Sequence, residues 1–247
     1  MSNRERMISR AFVVCAVCTT YLLCLSAVVG RAKVVSNTCE PMMVREGSEY
    51  GGWWYDLRAV STSAIVYSFG LGEDTSWDEA ILDRGGTVYG FDPTPKSIKY
   101  ISHRRELWTR KGKFHHFAVG LSTRKGKVEF TKPLNPEHVS MRQGTHKNMG
   151  DTIVVKVDSL KNLLQQNEHT HIDILKIDVE TSEYAILEDL IQARYFPFSQ
   201  LLVEFHDVKQ EKYKNRLNTI IAGLALNGFA VTNNNAMTEM SFKRIYT

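Results

Sequence analysis

The sequence predicts an α/β domain built on a mostly parallel sheet, and three observations carry that prediction. From Ser63 onward apolar runs alternate with helical patterns, as parallel strands joined by crossover helices do. The run Ile65-Val66-Tyr67-Ser68-Phe69 breaks at Gly70-Leu71-Gly72-Glu73-Asp74, a glycine turn leaving an apolar strand. About 20 residues later Val88-Tyr89-Gly90-Phe91 ends at Asp92-Pro93-Thr94-Pro95, the spacing with which a βαβ unit holds an adenosine.

The chain has 247 residues, 43% hydrophobic and 23% charged, which suits one well-buried domain rather than two. Ala11 to Val29 carry no charged side chain and lie between Arg4, Arg6 and Arg10 on one side and Arg31 and Lys33 on the other. At roughly 20 residues that run is long enough to cross a bilayer. The expected layout is a cytoplasmic tail at 1–10, a transmembrane signal anchor at 11–30, a stem at 31–50 and the folded domain at 51–247. It describes a single-pass endomembrane protein facing the Golgi lumen. The small residues Val28 and Gly30 leave signal-peptide cleavage open, which would make the protein secreted. Cys15, Cys18 and Cys24 fall in the apolar run, so Cys39 alone remains outside it and no internal disulfide framework is possible.

The elements follow in chain order. Gly51-Gly52-Trp53-Trp54-Tyr55-Asp56 opens the domain as an aromatic docking segment, with a lid over the site as the sharper alternative. Apolar runs place strands near 64–69, 87–92, 113–119, 171–177, 200–205, 228–232 and 240–245. Helical periodicity places helices near 75–84, 95–106, 159–166, 182–194 and 209–227. An extra strand pair near 126–130 and 152–156 encloses the polar stretch Pro133 to Asp151. The last two strands are joined by the short polar link Asn233 to Glu239, which permits a hairpin and hence one antiparallel C-terminal strand. A seven-stranded sheet finished this way is the shape of S-adenosylmethionine-dependent methyltransferases, whereas the dinucleotide-binding fold is parallel throughout.

The glycine turn also bears on the ligand. A dinucleotide turn wants G-x-G-x-x-G with a helix N-terminus open to pyrophosphate. Here Glu73 and Asp74 follow Gly70 and Gly72, and carboxylates there repel phosphate but suit the ammonium and sulfonium of S-adenosylmethionine. The fourth strand, Ile172-Asp173-Ile174-Leu175-Lys176-Ile177, delivers Asp178 and Glu180 to its C-terminal edge, where ligands bind in open α/β sheets. Ser182 with Glu183 reads as a helix start. Lys176, inside an apolar strand, calls for either a salt bridge to a neighbouring acid or a role toward cofactor or substrate. The fifth strand brings Glu204, His206 and Asp207 to the same edge.

The combination Tyr67-Ser68-Phe69-Gly70-Leu71-Gly72, Tyr89-Gly90-Phe91-Asp92-Pro93-Thr94-Pro95, Asp173-Ile174-Leu175-Lys176-Ile177-Asp178-Val179-Glu180 and Leu202-Val203-Glu204-Phe205-His206 resembles the FkbM-type methyltransferases, within them the animal methyltransferase-like branch. The resemblance runs from about Gly51 to the C-terminus. It implies a Rossmann-like fold, S-adenosylmethionine as cofactor and a hydroxyl oxygen as methyl acceptor. It also implies that Gly70, Gly72, Glu73 and Asp74 lie along the methionine part of the cofactor, with Asp92 and the adjoining Pro93 at the ribose and Asp178 also at the cofactor. Two positions depart from the family pattern: Ser68 stands where an acid is usual, and Thr181 where glycine is usual.

An alcohol acceptor must lose a proton, so a base within reach is expected. His206, Asp178 and Glu204 are the catalytic candidates, with His206 the best generic base because its ordinary pKa is near neutral. Asp178, Glu204 and His206 could also ligate a divalent ion, but no compact ligand spacing supports one and the expected site contains no metal. From Lys96 to Lys132 there are eleven Lys or Arg against Glu106 and Glu129, a solvated basic face or a patch for anionic lipid or sulfated glycan. Nucleic acid is the least favoured partner for a lumenal domain. The expected partners are thus a hydroxylated small-molecule, glycan or lipid acceptor, and a membrane through the N-terminal helix. The competing reading is a catalytically inactive, membrane-tethered Rossmann-like interaction domain. A glycosyltransferase would need a metal-binding carboxylate pair that Asp92, between Phe91 and Pro93, does not supply.

Overall fold

A short antiparallel pair, β1 (Met43–Glu46) and β2 (Trp53–Asp56), leads into the sheet. A computed structural model describes residues 41–111, 113–132, 141–143, 150–236 and 238–245. Beyond β2 come β3 (Ile65–Phe69), α1 (Ser76–Asp83), β4 (Thr87–Phe91), α2 (Pro95–Lys111) and β5 (Phe114–Phe117). Then follow β6 (Gly120–Leu121), β7 (Gly126–Thr131), β8 (Arg142–Gln143), β9 (Thr152–Asp158), α3 (Leu160–Gln166) and β10 (Ile172–Ile177). The chain ends with α4 (Glu183–Ala193), β11 (Phe198–Glu204), α5 (Glu211–Leu226), β12 (Phe229–Asn235) and β13 (Glu239–Arg244).

Seven strands form the main sheet in the order β12-β13-β11-β10-β3-β4-β5. The pairs of β5, β4, β3, β10 and β11 are parallel, and β13 runs antiparallel to both β11 and β12. The expected mostly parallel sheet with an antiparallel C-terminal strand is therefore observed. A second, four-stranded sheet, β6-β9-β7-β8, includes the strand pair expected near 126–130 and 152–156.

Alternation along the strands creates two unlike faces. Tyr67, Phe69, Phe91, Leu175, Ile177, Leu201 and Val203 point to a large core closed by Leu160, Leu163 and Leu164 of α3, Tyr184 and Leu187 of α4, and Leu217, Ile220 and Leu224 of α5. Val66, Val88, Ile174 and Leu202 point the other way, against Trp77, Ile81 and Leu82 of α1 and the buried Trp53 and Tyr55 of β2. The aromatic opening segment is thus a docking element. Its backbone is tied down where Asp56 N–H donates to Gln200 Oε1 (2.8 Å), Gln200 Nε2 donates to the Asp56 carbonyl (2.9 Å) and Ser241 donates to the Trp54 carbonyl (2.6 Å).

The stem boundary expected at residue 50 moves forward. Met43–Glu46 pairs residue by residue with Trp53–Asp56, and Arg45 closes the intervening turn by donating to the carbonyls of Ser48 and Glu49. A four-residue strand has too little period of its own to be read from sequence and is fixed by its partner. The tail expected at 1–10, the anchor at 11–30 and residues 31–40 lie outside the described residues. Among the described residues no helix is long and apolar enough to cross a membrane.

Candidate functional site

The parallel strands end together, and past their C-terminal edges lies a cavity of about 610 Å³. That size falls within the ~300–1,000 Å³ range of ligand pockets. Its walls are the turn after β3 (Gly70 to Asp74), the start of the β4 loop (Asp92 to Thr94), the turn after β10 (Asp178 to Glu180), and Glu204 at the end of β11 with His206 just past it. Phe130 of β7 and Met141 close one side, and Tyr50 stands at the rim, 80% exposed. Part of the polar stretch Pro133 to Asp151 lies outside the described residues. Nine lining residues are acids (Glu49, Glu73, Asp74, Asp78, Asp92, Asp178, Glu180, Glu204 and Glu239), against Lys176 and His206. A protein of net charge +4 therefore encloses an acidic cavity.

The turn after β3 is held by backbone bonds. Gly70 has φ 82° and Gly72 φ 54°, the left-handed region that glycine enters without penalty. The neighbouring loop demands glycine at Gly70: a Cβ there would lie 1.8 Å from the Asp178 carbonyl oxygen. Asp92, expected at the ribose, lines the cavity and is also engaged by its own turn. Leu71 and Gly72 N–H groups donate to its Oδ2 (3.1 and 3.0 Å), and the Thr94 N–H and hydroxyl donate to its Oδ1 (2.8 and 2.6 Å). Four donors fill a carboxylate's acceptor positions, so Asp92 shapes the turn. Pro93 lines the cavity beside it.

The acidic turn is also largely spoken for. Glu73 pairs with Lys96 (3.0 Å), and Asp74 accepts from the Ser48 hydroxyl (2.5 Å) and the Ser76 N–H (2.8 Å). Burial would raise the pKa of Asp74, but these bonds and the charge of Lys176 hold it below the usual value. Lys176 makes no ion pair among the described residues. Its Nζ donates to the Gly70 carbonyl (2.7 Å) and stands 5.2 Å from the centre of the Trp53 ring. Three cations of the basic stretch are likewise internally engaged: besides Lys96, Arg104 pairs with Glu79 (2.6 Å), and Lys113 donates to the Thr62 carbonyl (2.8 Å).

The far wall holds the expected catalytic candidates together. The Asp178 N–H donates to the Phe69 carbonyl (3.1 Å), and Glu180 and Thr181 follow at φ 52° and 76°. His206 is 12% exposed in its side chain. Its Nε2 lies 3.7 Å from Asp178 Oδ1, 3.6 Å from Glu180 Oε2 and 4.0 Å from Glu204 Oε1. On its other side the ring donates from Nδ1 to Glu183 Oε1 (3.3 Å), which also accepts the His206 backbone N–H (2.8 Å). Tyr184 donates to the His206 carbonyl (2.6 Å), fixing the loop.

Burial would depress the imidazole's pKa, but the Glu183 hydrogen bond and the charges of Glu183, Glu180 and Asp178 outweigh it and raise the pKa to about 9. Burial and the Asp178 charge push Glu204 up to about 7, against the pull of His206, and burial likewise raises Asp178. Asp178, Glu204 and His206 also bring ligand atoms within 4.8 Å of one another, a compactness their sequence spacing did not show. Two residues escaped the sequence reading: Glu183, fully buried behind His206, and Asp78, buried at the first turn of α1.

The Methyltransferase FkbM domain family matches residues 65–234. The chain is 29% identical over 143 residues to the probable methyltransferase-like protein 24 of Homo sapiens, covering 57% of this chain and 32% of that protein. The Rattus norvegicus protein of the same description matches to the same extent, so this chain spans about a third of the length of these curated relatives. Among solved structures, the methyltransferase FkbM from Methylobacillus flagellatus KT is similar at 12% identity and a TM-score of 0.49, covering 74% of this chain and 44% of that one.

Proposed function

The chain belongs to the FkbM methyltransferase family, with S-adenosylmethionine as its cofactor, and on that premise we propose that it transfers the methyl group to a hydroxyl oxygen. The described residues fit that cofactor. The cavity lies where open α/β sheets bind ligands, it is large enough, and its excess of acids complements a sulfonium and an ammonium. Bound there, the cofactor supplies an electrophilic methyl group.

The observation that carries the proton chemistry is the bond from His206 Nδ1 to Glu183, which leaves Nε2 facing Asp178, Glu180 and Glu204. With a pKa of about 9, His206 holds its proton at neutral pH and is the cation that keeps these carboxylates together. The base is then Glu204. Its pKa of about 7 is matched to neutral pH, and its side chain, 36% exposed, reaches into the cavity to take the acceptor's hydroxyl proton. Asp178 completes the catalytic group by holding His206 from the β10 side. This reassigns the base from the histidine favoured on chemistry alone to its neighbour.

The acidic cavity disfavours anionic acceptors, so the acceptor class is a neutral hydroxyl of a small molecule, glycan or lipid. Attachment to an endomembrane rests on the uncharged run Ala11 to Val29 and belongs to the same proposal. Alkaline carbonate extraction of membranes is its check, with release of the full chain counting against it.

Metabolite profiling of cells with and without the gene, read for mass shifts of one methyl group, tests the activity. A product that requires the gene and disappears with Glu204→Gln is the expected result. Identical profiles, with cofactor still bound by the purified chain, would favour the inactive interaction domain instead.

A further inference from the structure

Asp78 is a carboxylate that the fold does not account for. It sits in the first turn of α1, 2% exposed, and lines the cavity with Oδ1 lacking a hydrogen-bond partner among the described residues. An acid in a first helical turn gains from the helix dipole while exposed, so burial is not required for that role. Here burial outweighs the attraction of Lys176 and the Ser68 hydroxyl and pushes the carboxyl up to about 6.

Its surroundings narrow what would satisfy it. Ser68 and Lys176 are partners across β3 and β10 on the face that α1 covers. The Ser68 hydroxyl is fully buried beside Asp78 and acts on its carboxyl, while Lys176 Nζ donates to the Gly70 carbonyl. Nearby acids are committed: Glu73 to Lys96, Asp74 to Ser48 and Ser76, and Asp92 to four donors. Asp78 Oδ1, on the cavity wall, is therefore left open under the glycine turn. A primary ammonium, with N–H donors and a positive charge, satisfies it.

Resting on the S-adenosylmethionine reading above, we propose that Asp78 receives the α-ammonium at the amino-acid end of the cofactor. Asp78 is then the residue that discriminates a ligand with that ammonium from one without it.

Calorimetric titration of the full chain with S-adenosylhomocysteine, and with its analogue lacking the α-amino group, tests this. The wild type is expected to bind S-adenosylhomocysteine roughly 10- to 100-fold more tightly than the analogue. Asp78→Asn is expected to erase that preference while leaving the analogue's affinity unchanged. Asp78→Ser serves as the second variant if the first does not fold. Equal wild-type affinities for the two ligands would overturn the proposal. So would a variant that retains the preference or that weakens both ligands alike. Wild-type protein binding neither ligand at millimolar concentration would instead overturn the cofactor reading itself.

Discussion

The turns leaving β3 and β10 stand side by side, share a hydrogen bond from Asp178 N–H to the Phe69 carbonyl, and carry their polar groups in opposite ways. The first is satisfied from within: two glycines take the left-handed angles, and Asp92 collects the N–H groups of Leu71 and Gly72. The second puts Glu180 and Thr181, side chains and all, into left-handed angles and crowds carboxylates around one imidazole. A β-branched residue at such an angle is strained, and strain of this kind collects at working sites. The first turn is a cradle. The second is a charged, strained edge whose cohesion depends on a proton held at His206.

If the two turns are locked as described, Gly70→Ala has the largest effect, because its Cβ would meet the Asp178 backbone at 1.8 Å. A loss of at least about 4 kcal/mol in chemical denaturation is expected. Near-native stability would mean the turns move independently. Asp92→Ala strips the first turn of its internal acceptor and is expected to cost about 2–4 kcal/mol by the same measurement. A selective loss of cofactor affinity at unchanged stability would place Asp92 at the ligand instead.

The second turn is probed by pH. A histidine raised to about 9 in the fold, against an ordinary value of about 6.5, stabilises the protein fully below that lower value. The contribution fades as pH rises through 9 and amounts to about 3 kcal/mol at most. The raised carboxyls of Glu204 and Asp178 act in the same direction, since stability falls as each is forced to ionise. Glu183→Gln is expected to lower the His206 pKa, read by NMR titration, and to flatten the stability profile between pH 6.5 and 9. An unmoved histidine would remove Glu183 from the account. The smallest effect is a gain: Thr181→Gly relieves the left-handed strain and is expected to stabilise by about 1 kcal/mol, read as a rise in Tm. A fall in Tm would show the second turn to be as relaxed as the first.

The main sheet was legible because its strands are continuous apolar runs, and the Asn233 to Glu239 link declared the hairpin. The two-residue strands β6 and β8 carry no period to read. At the site, position past a strand end was enough to find Asp178, Glu204 and His206. It could not reveal that Asp92 is consumed by its own turn, because backbone donors leave no mark in side-chain pattern. Asp78 and Glu183 were hidden by ordinary helix-start chemistry, yet a signal existed. Each lies four residues before a buried leucine, Leu82 and Leu187, and so on the inward face of its helix. Of the two departures from the family pattern, the structure pairs Ser68 with a buried acid on α1 and leaves Thr181 strained.

Titration of the full chain with S-adenosylhomocysteine, followed by the amide NMR signals of Gly70, Gly72, Glu180 and Thr181, tests the central claim most directly. Saturable shifts at both turns with a single affinity are expected. No saturable shift up to millimolar ligand, or shifts confined to residues away from the two turns, would contradict it.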